Sequence, residues 1–237
     1  MKLLTNTVWF REAGRRLKAQ IWLKSFGIPS FMTLFFVGYF LILNHAFFPV
    51  TVMPVTSVDQ FIPYQTSAWL LYVSLWVYVQ LPPSLIDSRR ELILYGWTAA
   101  GVGLAGFAVF LLWPTAVPAM NVAEAGAPLA CLRNMDTTGN SCPSLHVAFS
   151  VFTAIWIHCF LRQRTAHAWL RWLNWSWCLG IMYSTLATKQ HVFWDVCAGT
   201  VLGMTGAALQ VRLSRNHRAK MMLTPDLAQI SPAARKL

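Results

Sequence analysis

Long apolar stretches dominate this sequence and restrict what it can fold into. Six of them are long enough to form membrane helices, and they cover residues 27–48, 64–86, 92–114, 143–161, 168–187 and 191–211. A helix needs about 20 mainly apolar residues to cross the hydrocarbon core of a bilayer. Only 11% of the residues are charged, against roughly 25% in a typical soluble domain. The sequence therefore predicts an all-α fold, an integral membrane bundle of six transmembrane helices.

The basic residues predict how this bundle is oriented. The net charge of +11 is compatible with nucleic-acid binding, but the basic residues lie between the apolar stretches rather than along one polar face, so we expect no nucleic-acid partner. All of the 19 Lys and Arg residues except Arg133 and Lys189 fall on one side of the predicted bundle, and the positive-inside rule makes that side cytoplasmic. We expect a cytoplasmic basic segment over 1–26, a membrane domain over 27–211 and a cytoplasmic basic tail over 212–237.

Two polar stretches are expected at the outer face of the bundle. The sequence "CPSLH" (142–146) begins the fourth predicted span, and "STLATKQHVFWD" (184–195) connects the fifth to the sixth. The N-terminus of a helix offers unpaired N–H groups and a partial positive charge, which favour an anion. Arg133 and Lys189, the two outer cations, would add to this electropositive region. The pattern predicts a phosphate-binding site.

The acid–base residues of these stretches predict chemistry at the site. His191 and Asp195 are four residues apart and so share one face of a helix. The carboxylate can hold one imidazole N–H and raise the basicity of the other nitrogen, which prepares a base or nucleophile. His146, from another helix, would be a proton donor. Alternatives are a structural pair of His191 with Asp195, a helix cap at Ser144, and a metal site that adds Cys142 to the two histidines and the aspartate.

Two motifs of the sequence resemble those of the type 2 phosphatidic acid phosphatase superfamily, which shares its site with vanadium haloperoxidases. The second family motif, Pro-Ser-Gly-His, corresponds to "PSLH" at 143–146. The third motif is Ser-Arg, five residues, His, three residues, Asp, and it corresponds to Ser184, Thr185, His191 and Asp195.

The resemblance covers roughly residues 92–211 and departs from the family in two places. Thr185 replaces the arginine of the third motif, and "WPTAVP" at 113–118 stands where the first motif, Lys, six residues, Arg-Pro, is expected. This pattern is similar to the branch that contains inositol phosphorylceramide synthase, which transfers phosphorylated headgroups between lipids. Arg133 and Lys189 are candidates to replace the missing phosphate contacts, although interaction with lipid headgroups is the alternative for both.

The resemblance implies a role for each matching residue. His191 attacks phosphorus to form a phosphohistidine, Asp195 orients it, and His146 protonates the leaving oxygen. Ser144 and neighbouring backbone N–H groups bind the phosphoryl oxygens, and neither a metal nor a cofactor is implied. The expected substrate is a lipid phosphomonoester or pyrophosphate, hydrolysed at the outer leaflet of a bacterial inner membrane with the site facing the periplasm or exterior. The sequence does not indicate an oligomeric state.

Two further functions remain open at this point. One is a lipid phosphotransferase that moves a phospho-headgroup to a lipid hydroxyl acceptor, and the other is a non-catalytic protein that binds or transports membrane lipids.

The outer connection also carries two cysteines, Cys131 and Cys142. In an oxidising compartment they are candidates for a disulfide, which would close a short loop that carries Arg133 directly before "PSLH".

Overall fold

The structure, a computed structural model, describes residues 11–43, 47–118 and 140–223, with side chains described as far as residue 216. The helices are α1 over 11–18, α2 (Ile21–Leu43), α3 (Ser57–Phe61), α4 (Ala68–Val73), α5 (Leu75–Tyr78), α6 (Leu81–Leu85), α7 (Arg89–Leu112), α8 (Leu145–Gln163), α9 (Ala168–Ala187) and α10 (Phe193–Leu223). Two short strands, β1 (Thr51–Val52) and β2 (Thr115–Ala116), pair in parallel.

The described part of the chain is mainly helical, and four of its helices are long and apolar enough to cross a membrane. These are α2, α7, α8 and the Phe193–Asn216 part of α10. Helix α9 coincides with the predicted span 168–187, while α2 begins at Ile21 rather than at residue 27. Helix α10 begins at Phe193 rather than at residue 191 and continues well beyond the predicted end at 211.

The predicted single helix over 64–86 is instead the three short helices α4, α5 and α6. At the first break the Ser74 hydroxyl donates to the Leu71 carbonyl oxygen at 2.6 Å, a local bond that competes with regular helix bonding. At the second break Pro82 and Pro83 have no N–H group to give. Local chemistry therefore interrupts a stretch whose apolar composition alone favours one long helix.

Helix α8 forms the centre of the bundle, because apolar side chains cover it on two sides. On one side Val147 and Val151 share a buried cluster with residues of α5 and α9, including Leu75 and Ile181. On the other side Phe152 and neighbouring residues of α8 pack with α7 and α10.

Glycines allow α8 and α10 to approach each other closely. A Cβ atom at Gly199 or Gly203 would collide with the backbone carbonyl oxygen of Ser144 or Ala148, respectively. Small residues at helix contacts are common in membrane bundles, and at these two positions they allow the backbones of α8 and α10 to approach. As a result the Ser144 N–H donates to the Asp195 carbonyl oxygen at 3.1 Å, which places the first turns of the two helices side by side.

The two ends of the bundle differ in character. At the C-terminal end of α8, Arg16 and Arg164 lie over the ring of Phe160, and Lys24 donates to the Ser84 carbonyl oxygen at 2.8 Å. At the opposite end lie the β1–β2 pair and the connections that precede α8 and α10. The parallel pair is a small departure from an all-α fold.

Candidate active site

His191 and Asp195 lie close together at the start of α10, as their spacing predicts, but not in the predicted way. His191 is in the turn that precedes α10, since the helix begins at Phe193, so the two residues do not share a helix face. Their side chains nevertheless approach, with 3.5 Å between His191 Nδ1 and Asp195 Oδ2. That is longer than a hydrogen bond, although catalytic contacts are often loose before substrate binds. The remaining nitrogen, Nε2, is the one turned from the carboxylate.

The carboxylate of Asp195 is completely buried and held by neighbouring groups. Its Oδ2 accepts from the Ser141 hydroxyl at 2.6 Å and from the Val192 N–H at 3.0 Å. It lies in the first turn of α10, where the helix dipole favours a negative charge. Asp195 Oδ1, His191 Nδ1 and the Gln190 side chain have no hydrogen-bond partner among the described residues. Buried polar atoms without partners are costly and rare, so their grouping here marks a functional region.

His146 lies in the first turn of α8 and contacts two aromatic residues. Its ring stacks on Tyr72, with 4.2 Å between the centroids, and meets the edge of Trp76. The Tyr72 hydroxyl is 3.3 Å from His146 Nδ1. When this hydroxyl donates to Nδ1, the proton of the neutral ring is on Nε2. The sequence pattern did not indicate Tyr72, which follows no motif residue and lies in α4.

The two histidines face each other across the site. Their ring centroids are 6.1 Å apart, and they come from the first turn of α8 and the turn before α10. The planes of the two rings are inclined at 54° to each other. The structure thus brings together His146, His191 and Asp195, the three predicted catalytic residues.

Ser144 is the N-cap of α8 and is completely buried. Its hydroxyl oxygen accepts from the Val147 N–H at 3.3 Å, which is the capping role considered from the sequence. Pro143 lies one position before this cap rather than in the first helical turn, because α8 begins at Leu145. A capping hydroxyl keeps the backbone groups of the first turn in place, beside the predicted phosphate position.

Lys189 binds the protein itself rather than extending freely into the site. Its ammonium group donates to the backbone carbonyl oxygens of Asp59, at 2.7 Å, and Ile62. Only 8% of the residue is exposed, and burial lowers the pKa of its amine, while the negative charge of Asp59 acts in the opposite direction. Lys189 therefore ties the segment around α3 to the loop that carries His191.

Asp59 is a buried carboxylate that the sequence analysis missed. Its Oδ1 accepts from the Phe193 N–H at 2.8 Å, and its Oδ2 accepts from the N–H and hydroxyl of Thr56 at 2.8 and 2.7 Å. Together with Asp195, which binds the Val192 N–H, it occupies the N-terminus of α10. The expectation that this helix terminus faces phosphate is therefore wrong for these two N–H groups, because carboxylates of the chain already bind them.

The turn before α8 is held by residues from the "WPTAVP" stretch. Thr115 is fully buried, and its hydroxyl oxygen accepts from the Cys142 N–H at 2.7 Å. Its carbonyl oxygen accepts from the Ser141 N–H at 3.1 Å. Strand β2 therefore holds the turn that contains "CPSLH" through these hydrogen bonds. It does so at the place in the sequence where the first family motif is missing.

Two predicted residues, Arg133 and Cys131, lie outside the described residues, so their phosphate contact and disulfide stay predictions. Cys142 itself is buried, and burial beside the charge of Asp195 raises the pKa of its thiol to about 12. Among the residues that the structure describes, no three His, Cys, Asp or Glu side chains are grouped as ligands for a metal ion. The alternative of a metal site therefore has no set of ligands in this part of the chain.

We expect the replacement Asp59→Asn to lower both stability and turnover. The new amide would turn an NH₂ group toward the donors of Thr56 or Phe193, so a buried donor loses its acceptor, at a cost of about 1–3 kcal/mol or more. Thermal unfolding of the purified protein should shift to lower temperature, and turnover should fall because Asp59 positions the turn before α10.

Asp87→Asn is the matched control for this prediction. Asp87 is likewise a carboxylate with two partners, but these are Arg15 and Arg16 at the opposite end of the bundle. Its side chain is 28% exposed, and an ion pair at such a position contributes about 0–1 kcal/mol. Equal effects of the two replacements would show that Asp59 has no special link to the site.

The fold and the site define a class of protein: a helical protein with four helices long and apolar enough to cross a membrane, and with two histidines beside a buried aspartate. Comparison with protein families identifies the family, because the PAP2 superfamily matches residues 28–219. The chain therefore belongs to the PAP2 superfamily, the type 2 phosphatidic acid phosphatases and their relatives, whose members are phosphoric ester hydrolases or related transferases. No curated protein and no solved structure matches the chain significantly.

Proposed function

We propose that the protein is a membrane-embedded lipid phosphatase that hydrolyses a lipid phosphomonoester or pyrophosphate through a phosphohistidine. The observation that carries this proposal is the pairing of His191 Nδ1 with the buried Asp195 carboxylate at 3.5 Å, opposite the ring of His146. Membership of the PAP2 superfamily supports activity on phosphate esters in general.

The proposed reaction has two steps. First, the Nε2 lone pair of His191 attacks phosphorus while the bond from phosphorus to the lipid oxygen breaks. His146, in its protonated cationic form, gives a proton to that oxygen and becomes neutral. Second, water attacks the phosphohistidine and loses a proton to His146. The P–N bond then breaks, which releases phosphate and regenerates both histidines. Asp195 holds Nδ1 and stabilises the positive charge that develops on the ring.

We further propose that six segments cross the membrane and that the site faces the exterior. The basic residues Arg16, Lys24 and Arg164 lie at the end of the bundle opposite His146 and His191. The positive-inside rule assigns that end to the cytoplasm. The two additional segments are the broken α4–α6 region and α9, which accompany the four helices that meet the length and hydropathy criteria.

A lipid phosphotransferase of the inositol phosphorylceramide synthase type is the second candidate, and the charges near the site favour it. A phosphomonoester carries about −1.5 to −2 charges at neutral pH, whereas a phosphodiester headgroup carries only one. Thr185, in place of the family's arginine, is buried and donates to the Met182 carbonyl oxygen. Lys189 is bound to carbonyl oxygens as well. Among the described residues, therefore, the site has few available cations, which suits the less charged ester.

A panel of lipid phosphates and acceptors separates these functions. The purified protein is incubated with a phosphomonoester, a pyrophosphate and a phosphodiester lipid, each with and without a lipid hydroxyl acceptor. Release of inorganic phosphate from the first two supports the phosphatase. A new phosphorylated lipid that forms only with the acceptor establishes the transferase, and binding without any turnover establishes a lipid-binding protein.

A further inference from the structure

A long apolar cavity begins at His146 and runs away from the site along the bundle. Its volume is about 490 Å³, within the usual range of ligand pockets, about 300–1,000 Å³. Helix α2, the α4–α6 segment, α7 and α8 all contribute to its walls. Apart from His146, its lining is mainly aromatic and aliphatic, so an ionic headgroup does not fit its interior.

The lining residues show how far the cavity extends. On α2 they run from Leu23 to Phe40, which corresponds to about 25 Å at ~1.5 Å per residue. Trp69 and His146 lie at one end, while Pro83 and Leu23 lie near the other. A cavity of about 490 Å³ that extends over about 25 Å is a narrow channel. It is longer than one leaflet, which is half of the roughly 30 Å hydrocarbon thickness.

Gly96 keeps the far half of the channel open. It lines the cavity, and a Cβ atom at this position would meet no atom within 4 Å. The position of Gly96 along the channel is measured from Gly106 on the same helix. A Cβ atom at Gly106 would meet the side chain of Leu145, the neighbour of His146. Gly96 is ten residues earlier in α7, hence about 15 Å deeper along the axis.

We propose that this channel binds a single extended hydrocarbon chain of the phosphorylated lipid, one longer than a single leaflet, and that its depth selects for chain length. This inference rests on the proposed function, since it places the phosphate of the same lipid at His146 and His191. A narrow channel takes one chain rather than two, and its aromatic and aliphatic side chains give the hydrocarbon apolar surroundings. Each buried methylene then contributes to binding.

The test fills the channel at Gly96 and leaves the site untouched. Full-length wild-type protein, Gly96→Phe and the control Gly101→Phe are compared for binding and turnover of butyl phosphate and eicosyl phosphate in detergent. Gly101 lies on the same helix, is exposed, and has open space around its Cβ position. The two replacements therefore change helix propensity equally. Gly96→Leu serves if the phenylalanine variant does not elute as a folded protein.

The expected result for Gly96→Phe is a fall of about tenfold or more in the affinity ratio of eicosyl to butyl phosphate, because the methylenes beyond the block lose their apolar surroundings. Gly101→Phe should keep the wild-type ratio. Equal ratios in all three proteins would overturn the channel proposal, while wild-type turnover would leave the phosphatase proposal standing.

The two proposals can also fail separately in the other direction. If Gly96→Phe binds eicosyl phosphate more weakly than the wild-type protein does, but none of the three proteins releases phosphate, the result supports the channel and contradicts the phosphatase. Dioleoyl phosphatidate, which has two chains, is the last comparison. If the wild-type protein binds it as tightly as eicosyl phosphate, and Gly96→Phe weakens the binding of both lipids equally, a one-chain channel is contradicted.

Discussion

Replacement of His191 by alanine is expected to abolish turnover of every phosphate ester that the wild-type protein accepts. Without the imidazole there is no nucleophile to take the phosphoryl group, and loss of a covalent nucleophile lowers kcat by on the order of 10⁶-fold. The side chain is 6% exposed and makes no described hydrogen bond through Nδ1, so its removal leaves no hydrogen-bond partner of Nδ1 unpaired. Turnover is measured as phosphate release or as transfer to an acceptor.

The matched control is His167→Ala. His167 is exposed, precedes α9 and makes no capping hydrogen bond with its side chain. It should keep wild-type turnover and elution behaviour. Retained turnover in His191→Ala, at the level of this control, would rule out His191 as the nucleophile.

Replacement of His146 by alanine is expected to reduce turnover by about 10²–10⁴-fold, the usual contribution of general acid–base catalysis. The loss should depend on the leaving group. An alkyl oxygen needs a proton as its bond to phosphorus breaks, whereas a p-nitrophenyl oxygen leaves well without one. His146→Ala should therefore lose much less activity on p-nitrophenyl phosphate than on an alkyl phosphate, while His191→Ala loses both.

This comparison separates an acid from a structural residue. His146 stacks on Tyr72, and disturbed packing would lower activity on both esters by the same factor. An equal loss on the two substrates would therefore contradict the proton-donor role.

The sequence was most informative where local patterns determine structure. The spacing of His191 and Asp195 predicted that their side chains approach, because residues four apart lie close together both within a helix and in the turn that leads into one. Apolar length predicted α9 closely, but it did not reveal the breaks at Ser74 and Pro82.

The remaining parts of the site depend on contacts between distant segments. Asp59 is 134 residues from the Phe193 N–H that it accepts from, and Tyr72 is 74 residues from His146, so no local pattern links them. A signal was nevertheless present for Asp59, which is one of only eight acidic residues in the chain and falls in a connection predicted to lie on the outer side. Phosphate binding by Lys189 stays a prediction, and the carbonyl oxygens that bind its ammonium group come from a distant short helix and the residue after it.

The most direct test of the account is to trap the covalent intermediate. Wild-type protein is mixed with a substrate that carries a radiolabelled phosphoryl group, quenched in alkali, where phosphohistidine survives, and digested for mass spectrometry. The account predicts a label on His191 of the wild-type protein that disappears on acid treatment, and no label in His191→Ala. Label on another residue, or full turnover by wild-type protein without any labelled His191, would contradict a phosphohistidine mechanism.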